Sequence, residues 1–275
     1  MIGLWLLVAL FLDRAQLQIS AFSYDSPFNG LGTVDLINQK TIKAPMAYRV
    51  LLPWFIRGIE QVFPRLERYR VTVYEVFKIL FLTLALWACD YVLGIERALL
   101  IAALLPMTFA FDYWEWPLEL MGYALALSGN IPLTCLGCLV VSLSRETAPL
   151  VPLTFILVSG NVSVGLQLFA LTFAVLLAVR LYIGKRPLYC DRIMLKRNWS
   201  ELKLFAHNHH PLGLDYSAYA VLLSVLTGVV VLRGAAGAAG LIPLLILGLG
   251  WTMGVARETR IFAPCLLWVA IGLIR

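Results

Sequence analysis

The chain alternates apolar runs with short polar connections, a pattern typical of helical membrane proteins. The runs are 2–22, 71–94, 98–111, 117–129, 131–144, 148–159, 162–183, 217–233, 236–255 and 262–274. A helix needs about 20 apolar residues to cross a bilayer, and segments such as 131–144 and 148–159 are shorter than that. Short segments fit a thinned bilayer, or helices that stop partway and leave a cavity open to one face. We predict an all-α, polytopic transmembrane helix bundle of about 10 hydrophobic helices, several of them short.

The first run is interrupted by Asp13-Arg14 after eleven apolar or small residues. It has no basic stretch before the apolar residues and no clear small-residue cleavage site. We therefore expect a retained first helix rather than a removed signal peptide.

The polar region 23–70 contains an amphipathic stretch from Met46 to Phe63. At 100° per residue its polar side chains share about a third of the circumference: Arg49, Arg57, Glu60 and Gln61. This pattern predicts a helix that lies in the membrane interface, with a kink at Pro53, where a backbone hydrogen bond is lost. An ordinary spanning helix is the alternative.

A second polar region, 184–216, is basic and ends in His207-Asn208-His209-His210. Basic residues beside a membrane favour anionic headgroups. The histidine spacing, with no nearby cysteine, is weak evidence for a metal, and we expect a solvated loop. We treat 1–275 as a single integral membrane domain that carries these two polar regions.

Composition supports the membrane class. Apolar residues make up 61% of the 275, charged residues only 14%, and the mean hydropathy is +0.84, far from a soluble globular chain. The net charge of +6 is expected to report topology and anionic lipid rather than nucleic acid. No phosphate-binding loop, dinucleotide fingerprint, haem-attachment pair or nucleophile elbow occurs, which disfavours ATPase, redox and hydrolase functions.

An Arg-Glu-Thr motif occurs twice between apolar runs, at Ser144-Arg145-Glu146-Thr147-Ala148-Pro149 and at Arg257-Glu258-Thr259-Arg260. A charged side chain at bilayer depth costs roughly 2.5–3.5 kcal/mol on insertion scales, so such residues pair, line a cavity or lie at a membrane edge. Two copies favour the floor of a polar site. The alternative is a pair of turns that mark the water boundary.

If every run crosses the membrane, both motifs lie on one face. The 23–70 region, Asp112–Glu115 and the 184–216 region lie there too, so that face carries sixteen of the 22 lysines and arginines. The opposite face has only Arg97, Arg233 and Arg275. The positive-inside rule would make the basic face cytoplasmic. Arginines recruited to bind phosphate would bias the count in the same direction, so the orientation stays open.

Carboxylates and arginines on one face could act together as proton acceptors and phosphate-binding groups. A carboxylate can accept a proton from an acceptor hydroxyl, and guanidinium groups can hold a phosphate through paired hydrogen bonds. The nearby Tyr113-Trp114-Glu115-Trp116 could flank a sugar or a prenyl chain, or form an interfacial aromatic belt. Cys135 and Cys138 have CxxC spacing without a second pair, so helix packing is favoured over a metal site.

Three short motifs carry a resemblance: Ala47-Tyr48-Arg49-Val50-Leu51-Leu52-Pro53, Ser144-Arg145-Glu146-Thr147-Ala148 and Glu258-Thr259-Arg260-Ile261-Phe262-Ala263-Pro264. The pattern resembles that of little-characterised bacterial multi-pass proteins similar to the GT-C glycosyltransferase superfamily. The resemblance implies a polyprenyl-phosphate sugar donor, an acidic residue in the first loop, and a site in the bacterial inner (plasma) membrane. Asp25 occupies the matching place in this chain.

The resemblance assigns expected roles to nine residues. Asp25 would be the base or would orient the substrate, and Asp112 or Glu115 would contact the acceptor or a divalent cation. Arg49, Arg57, Arg145 and Arg260 would bind the donor phosphate, with Glu146 and Glu258 positioning arginines. No metal ligand set is predicted, and no cofactor other than that cation is considered.

Two other functions remain open from the sequence. A non-catalytic subunit or scaffold of a larger membrane complex would have membrane-protein partners and would bury an apolar lateral surface. A transporter or flippase of an anionic lipid-linked substrate would use the short segments as broken gating helices.

Overall fold

The computed structural model describes residues 1–19, 35, 37–39, 49–108, 114–186, 216–234, 237–253 and 262–274. These residues form an all-helical fold, which confirms the predicted all-α class. Eleven α-helices lie in the described ranges: α1 Ile2–Ile19, α2 Leu51–Val62, α3 Arg70–Leu93, α4 Ile95–Leu104, α5 Glu115–Leu127, α6 Ile131–Ser144, α7 Leu150–Ser159, α8 Val162–Ile183, α9 Tyr216–Leu232, α10 Leu241–Met253 and α11 Cys265–Leu273. Short 3₁₀ turns at Pro64–Tyr69, Leu105–Thr108 and Gly237–Gly240 precede or extend three of them.

Two of these helical stretches are long and apolar enough to cross a membrane, Pro64–Leu93 and Val162–Ile183. Four other apolar helices are shorter, at Ile131–Ser144, Leu150–Ser159, Ala218–Leu232 and Gly237–Thr252. The predicted short segments at 131–144 and 148–159 are therefore present as short helices, α6 and α7.

Helices α5 to α8 are joined by tight turns at 128–130, 145–149 and 160–161, so they run up and down between two ends of the bundle. Arg49, the start of α5 and the turn 145–149 meet at one end, hereafter the charged end. At the other end, hereafter the opposite end, one cavity is lined by residues that end α3, begin α4 and end α5, α7 and α11. Tight turns at the opposite end use glycines with positive φ, such as Gly129 and Gly160, a conformation that glycine adopts without steric penalty.

Asparagines begin two of the helices that start at the opposite end. The side chain of Asn130 accepts a hydrogen bond from the Leu133 amide, and that of Asn161 accepts one from the Val164 amide, each at 3.1 Å. These are N-caps, which satisfy an amide at a helix start. They fix where α6 and α8 begin.

The amphipathic helix is present but begins later than predicted. It starts at Leu51, so Pro53 lies in its first turn, where amides have no intrahelical acceptor to lose. The predicted kink at Pro53 is therefore wrong. Leu52 and Ile56 are buried, while Trp54 and Phe55 are 40% and 48% exposed, and the Trp54 ring contacts Tyr182 at the end of α8.

Two polar contacts bind α1 to α3. The Asp13 carboxylate lies 2.7 Å from the Lys78 ammonium group, with both side chains almost fully buried. Nearer the opposite end, the Trp5 indole donates to Asp90 at 2.8 Å. The polar residue that interrupts the first apolar run is thus neutralised by the lysine within α3, as expected for charges in an apolar surround.

Glycines bring α5 and α6 into close contact. A Cβ atom on Gly137 would lie 2.9 Å from the backbone oxygen of Gly122, and one on Gly122 would lie 2.2 Å from Val141. Small residues at such a crossing let helix backbones approach closely. Cys138 is buried beside this crossing, which agrees with packing as the role of the CxxC pair. The crossing also sets the height at which α5 carboxylates meet the end of α6.

We expect Gly137→Val to destabilise the protein by about 1–3 kcal/mol, the usual effect of overpacking a tight site. Gly248→Val is the matched control, because a Cβ atom at Gly248 meets nothing within 4 Å. Thermal unfolding of the detergent-solubilised protein measures both. Equal melting temperatures for the two variants would contradict the close-packing assignment.

Candidate functional site

Four of the predicted site residues meet at the charged end. Arg49 contacts Glu115 and Glu146, and Arg145 approaches Glu119. We call these five side chains the charged network. Arg57 is exposed on α2 and is not part of it. Asp25, Asp112, Glu258 and Arg260 lie outside the described residues.

Arg49 is the centre of the network. Its Nε and Nη2 donate to the two carboxylate oxygens of Glu146, each at 3.2 Å. Its Nη1 donates to Oε1 of Glu115 at 3.1 Å. Three of the five guanidinium N–H groups are therefore used, and they join the segment before α2 to the start of α5 and to the α6–α7 turn.

The backbone holds this geometry in place. The amide of Val50 donates to the Leu143 carbonyl at 2.8 Å, so the residue after Arg49 is fixed to the last turn of α6. Arg145 follows that turn as the C-cap of α6, with its amide donating to Val141. Each arginine is thus adjacent to a backbone contact that determines its position.

Arg145 makes a looser contact. Its Nε lies 3.2 Å from Oε2 of Glu119, but neither atom has hydrogen-bond geometry. The other oxygen of Glu119 accepts a hydrogen bond from the Thr147 hydroxyl. Tyr123, one turn further along α5, donates its hydroxyl to the Thr147 carbonyl at 3.3 Å. Glu119 and Tyr123 therefore fix the turn that carries both Arg145 and Glu146.

Two polar groups of the network remain open. Oε2 of Glu115 is buried and has no hydrogen-bond partner in the part of the chain that the structure describes. Arg145 is 6% exposed, and its Nε donates to none of the described residues. A buried donor or acceptor without a partner is unfavourable by about 1–3 kcal/mol, and by more for a charged group. Such groups are therefore candidates to contact a substrate.

The network carries two positive and three negative formal charges. Burial opposes the charged form of Glu146, but Arg49 and then Arg145 outweigh it, so the pKa of Glu146 lies below its ordinary value. Burial likewise opposes the charged form of Arg49, yet Glu146 and Glu115 raise the pKa of Arg49 above its ordinary value. Both partners are therefore ionised at neutral pH.

Sequence reasoning missed Glu119. It lies four residues after Glu115, so both carboxylates project from one face of α5, about 5–6 Å apart at Cβ. A glutamate inside an apolar segment is a signal in itself, because such a residue needs a partner. The partner was not predictable, since Arg145 lies 26 positions further along the chain.

Within the described ranges, no group of three or more His, Cys, Asp or Glu side chains is placed to hold a metal ion. Glu115 and Glu119 have arginine partners instead. Asp112, the other residue expected to contact the acceptor or a divalent cation, lies outside those ranges.

Comparison with known proteins gave no match to a family model, to a curated protein or to a solved structure.

Replacing Glu146 by Gln should reduce the acid sensitivity of the fold. Because the folded-state pKa of Glu146 is depressed, its stabilisation is present above the unfolded-state pKa of about 4.3 and is lost as pH falls through the lower folded value. The variant should melt several degrees lower at pH 7 and converge with the wild type as the pH falls through the depressed folded-state pKa of Glu146. Melting temperatures measured from pH 7 to 3 test this.

The control is Glu67→Gln, because Glu67 is exposed on the 3₁₀ turn after α2. It should leave the pH profile unchanged. If it shifts the profile as much as Glu146→Gln, the acid response does not come from the charged network.

Proposed function

We propose that this protein is a polytopic integral membrane protein. Support comes from its exterior, which is apolar along most of α8. Leu166, Phe173, Leu177 and Leu181 are each more than half exposed. A patch of that size on a water-facing helix would favour aggregation, whereas lipid solvates it. With 22 residues, α8 is about 33 Å long at 1.5 Å per residue, close to the hydrocarbon thickness of about 30 Å.

The shorter helices α6 and α7 are also consistent with a position in the membrane. With 14 residues in α6 and 10 in α7, their shared turn at 145–149 lies below the end of α8. Non-helical backbone at membrane depth is tolerated where protein surrounds it or where it lines a cavity. The carboxylates of the charged network surround this turn.

For the activity, we propose a GT-C-like glycosyltransferase that uses a polyprenyl-phosphate-linked sugar donor in the bacterial inner membrane. The observation that carries this proposal is a buried donor and a buried acceptor that have no hydrogen-bond partner among the described residues: Nε of Arg145 and Oε2 of Glu115. A guanidinium group matches a phosphate, and a carboxylate can accept the proton of an attacking hydroxyl.

The proposed step is a substitution at the anomeric carbon. The acceptor oxygen bonds to that carbon, the bond from the carbon to the phosphate oxygen breaks, and polyprenyl phosphate leaves with the bonding electron pair. The acceptor proton passes to a carboxylate, either Glu115 or, as the resemblance implies, Asp25. Arg145 stabilises the leaving phosphate, and Arg49 positions Glu115. Arg260, Glu258 and Asp112 keep the roles that the resemblance implies.

Glu115→Gln should reduce transfer at least 100-fold, within the usual range for a positioned proton acceptor. Arg145→Lys keeps the charge but loses the fork geometry, so it should weaken donor binding about tenfold. The measurement is release of polyprenyl phosphate from a panel of polyprenyl-phosphate hexoses by the reconstituted protein. Melting temperature is recorded for each variant.

Arg57→Met is the matched control, because Arg57 is exposed and outside the network; it should retain wild-type turnover. Asp25→Asn tests the residue implied by the resemblance. If both single variants, Glu115→Gln and Asp25→Asn, retain wild-type turnover, the catalytic proposal is refuted, whatever their melting temperatures.

A second function is favoured by one observation: the carboxylates already occupy Arg49. A closed, buried ion network can serve purely to fix a fold, as in a non-catalytic subunit or scaffold of a membrane complex. Under that function, Glu115→Gln would leave co-purification of partner proteins intact while no donor on the panel is consumed.

The up-and-down arrangement makes a topological prediction. In a variant without the five cysteines, a reporter at Lys43→Cys and one at Arg233→Cys should be labelled from opposite sides of the membrane. An impermeant thiol reagent on intact cells, then on opened membranes, measures this. Labelling of Lys43→Cys from outside would put the 23–45 loop on the face used by GT-C enzymes, and labelling of both from one side would refute the proposed crossing pattern.

A further inference from the structure

A second polar feature lies at the opposite end, away from the charged network. A cavity of about 320 Å³ there is lined by the apolar side chains of Val92, Leu93, Leu127, Val158, Ala239 and Ile271, together with Arg97 and Trp268. Within the described ranges, no carboxylate lines this cavity. A ligand for this cavity would therefore need an apolar part for the apolar lining and hydrogen-bond acceptors for the donors among the lining residues.

Arg97 is held in place by helix ends rather than by acids. Its Nε and Nη2 donate to the Ile274 carbonyl at 3.1 and 2.8 Å, and its Nη1 donates to the Leu93 carbonyl at 2.9 Å. These contacts close the C-terminal ends of α3 and α11, where unpaired carbonyls gather. Since these acceptors are neutral, they leave the formal positive charge of Arg97 in place. Two of its five N–H groups donate to none of the described residues.

Trp268 adds a second donor. Its side chain is fully buried, packs edge-on against Tyr123, and has an indole N–H without a hydrogen-bond partner among the residues that the structure describes. Buried indole N–H groups usually find an acceptor. An acceptor supplied by a ligand in the cavity would satisfy this group.

We propose that this cavity binds the headgroup of an anionic phospholipid in the leaflet at the opposite end. The phosphate would accept from the spare N–H groups of Arg97 and from the indole of Trp268, and the lipid chains would lie against the apolar lining residues. Basic pockets between transmembrane helices bind anionic headgroups by the same physics. The inference depends on the proposed membrane placement but not on the transfer reaction.

The test uses the full-length protein in neutral detergent, with dioctanoyl phosphatidylglycerol as the probe. Dioctanoyl phosphatidylcholine and inorganic phosphate are the comparison ligands. We expect phosphatidylglycerol to raise the melting temperature at concentrations at least tenfold lower than either comparison ligand needs. An equal response to phosphate would overturn the lipid as the ligand, and an equal response to phosphatidylcholine would overturn the anionic requirement.

Two variants locate the site. Trp268→Phe keeps the ring and removes only the N–H group, so it should weaken phosphatidylglycerol binding about tenfold while retaining the fold. Arg97→Met should abolish the response, although it also removes the carbonyl contacts, so Trp268→Phe is the decisive variant. Unchanged binding in Trp268→Phe would overturn the proposal.

Arg233→Met is the matched control, because Arg233 is an exposed cation in the connection between α9 and the following 3₁₀ turn at the same end. It should bind phosphatidylglycerol as the wild type does. If it weakens binding as much as Trp268→Phe, general surface charge holds the lipid and the cavity does not. If phosphatidylglycerol binding weakens only in Arg97→Met and Trp268→Phe, the cavity is supported as the binding site.

Discussion

The buried guanidinium of Arg49 organises the charged end, because it joins parts of the chain that are 66 and 97 positions away. The side chain is 8% exposed, so its charge has little access to water, and two carboxylates compensate for the lost hydration. Removing one partner of such a network leaves an uncompensated buried charge, which typically costs about 3–5 kcal/mol. The positions of α2, α5 and the α6–α7 turn are therefore coupled.

At the charged end, some polar groups of the network are paired and others are not. Arg49 is engaged by carboxylates, while Nε of Arg145 and Oε2 of Glu115 are buried without a hydrogen-bond partner among the described residues. A purely structural network would gain from satisfying both groups. An unpaired donor and an unpaired acceptor, held in fixed positions by the residues around them, suit a site in which the substrate supplies the missing hydrogen-bond partners. This contrast connects the structural role of the network to its proposed chemistry.

The two ends of the bundle hold their arginines with different partners. At the charged end the partners are carboxylates on α5 and the α6–α7 turn, whereas at the opposite end Arg97 is held by the carbonyls of Leu93 and Ile274. Carboxylates cancel the charge of an arginine, but neutral carbonyls orient it and leave its charge in place. The opposite end is accordingly suited to an anionic headgroup beside apolar chains.

The sequence by itself determined the all-α class and, within a few residues, the segments that became α3 to α11, because apolar run length and Asn or Gly turn residues are local signals. It also identified Arg49, Glu115, Arg145 and Glu146. The tertiary structure alone decided that Arg49 pairs with both glutamates, that Glu119 belongs beside Arg145, and that the amphipathic helix starts too late for Pro53 to kink it. Partner choice depends on helix crossings such as Gly122 against Gly137, which are contacts between distant positions that no local pattern encodes.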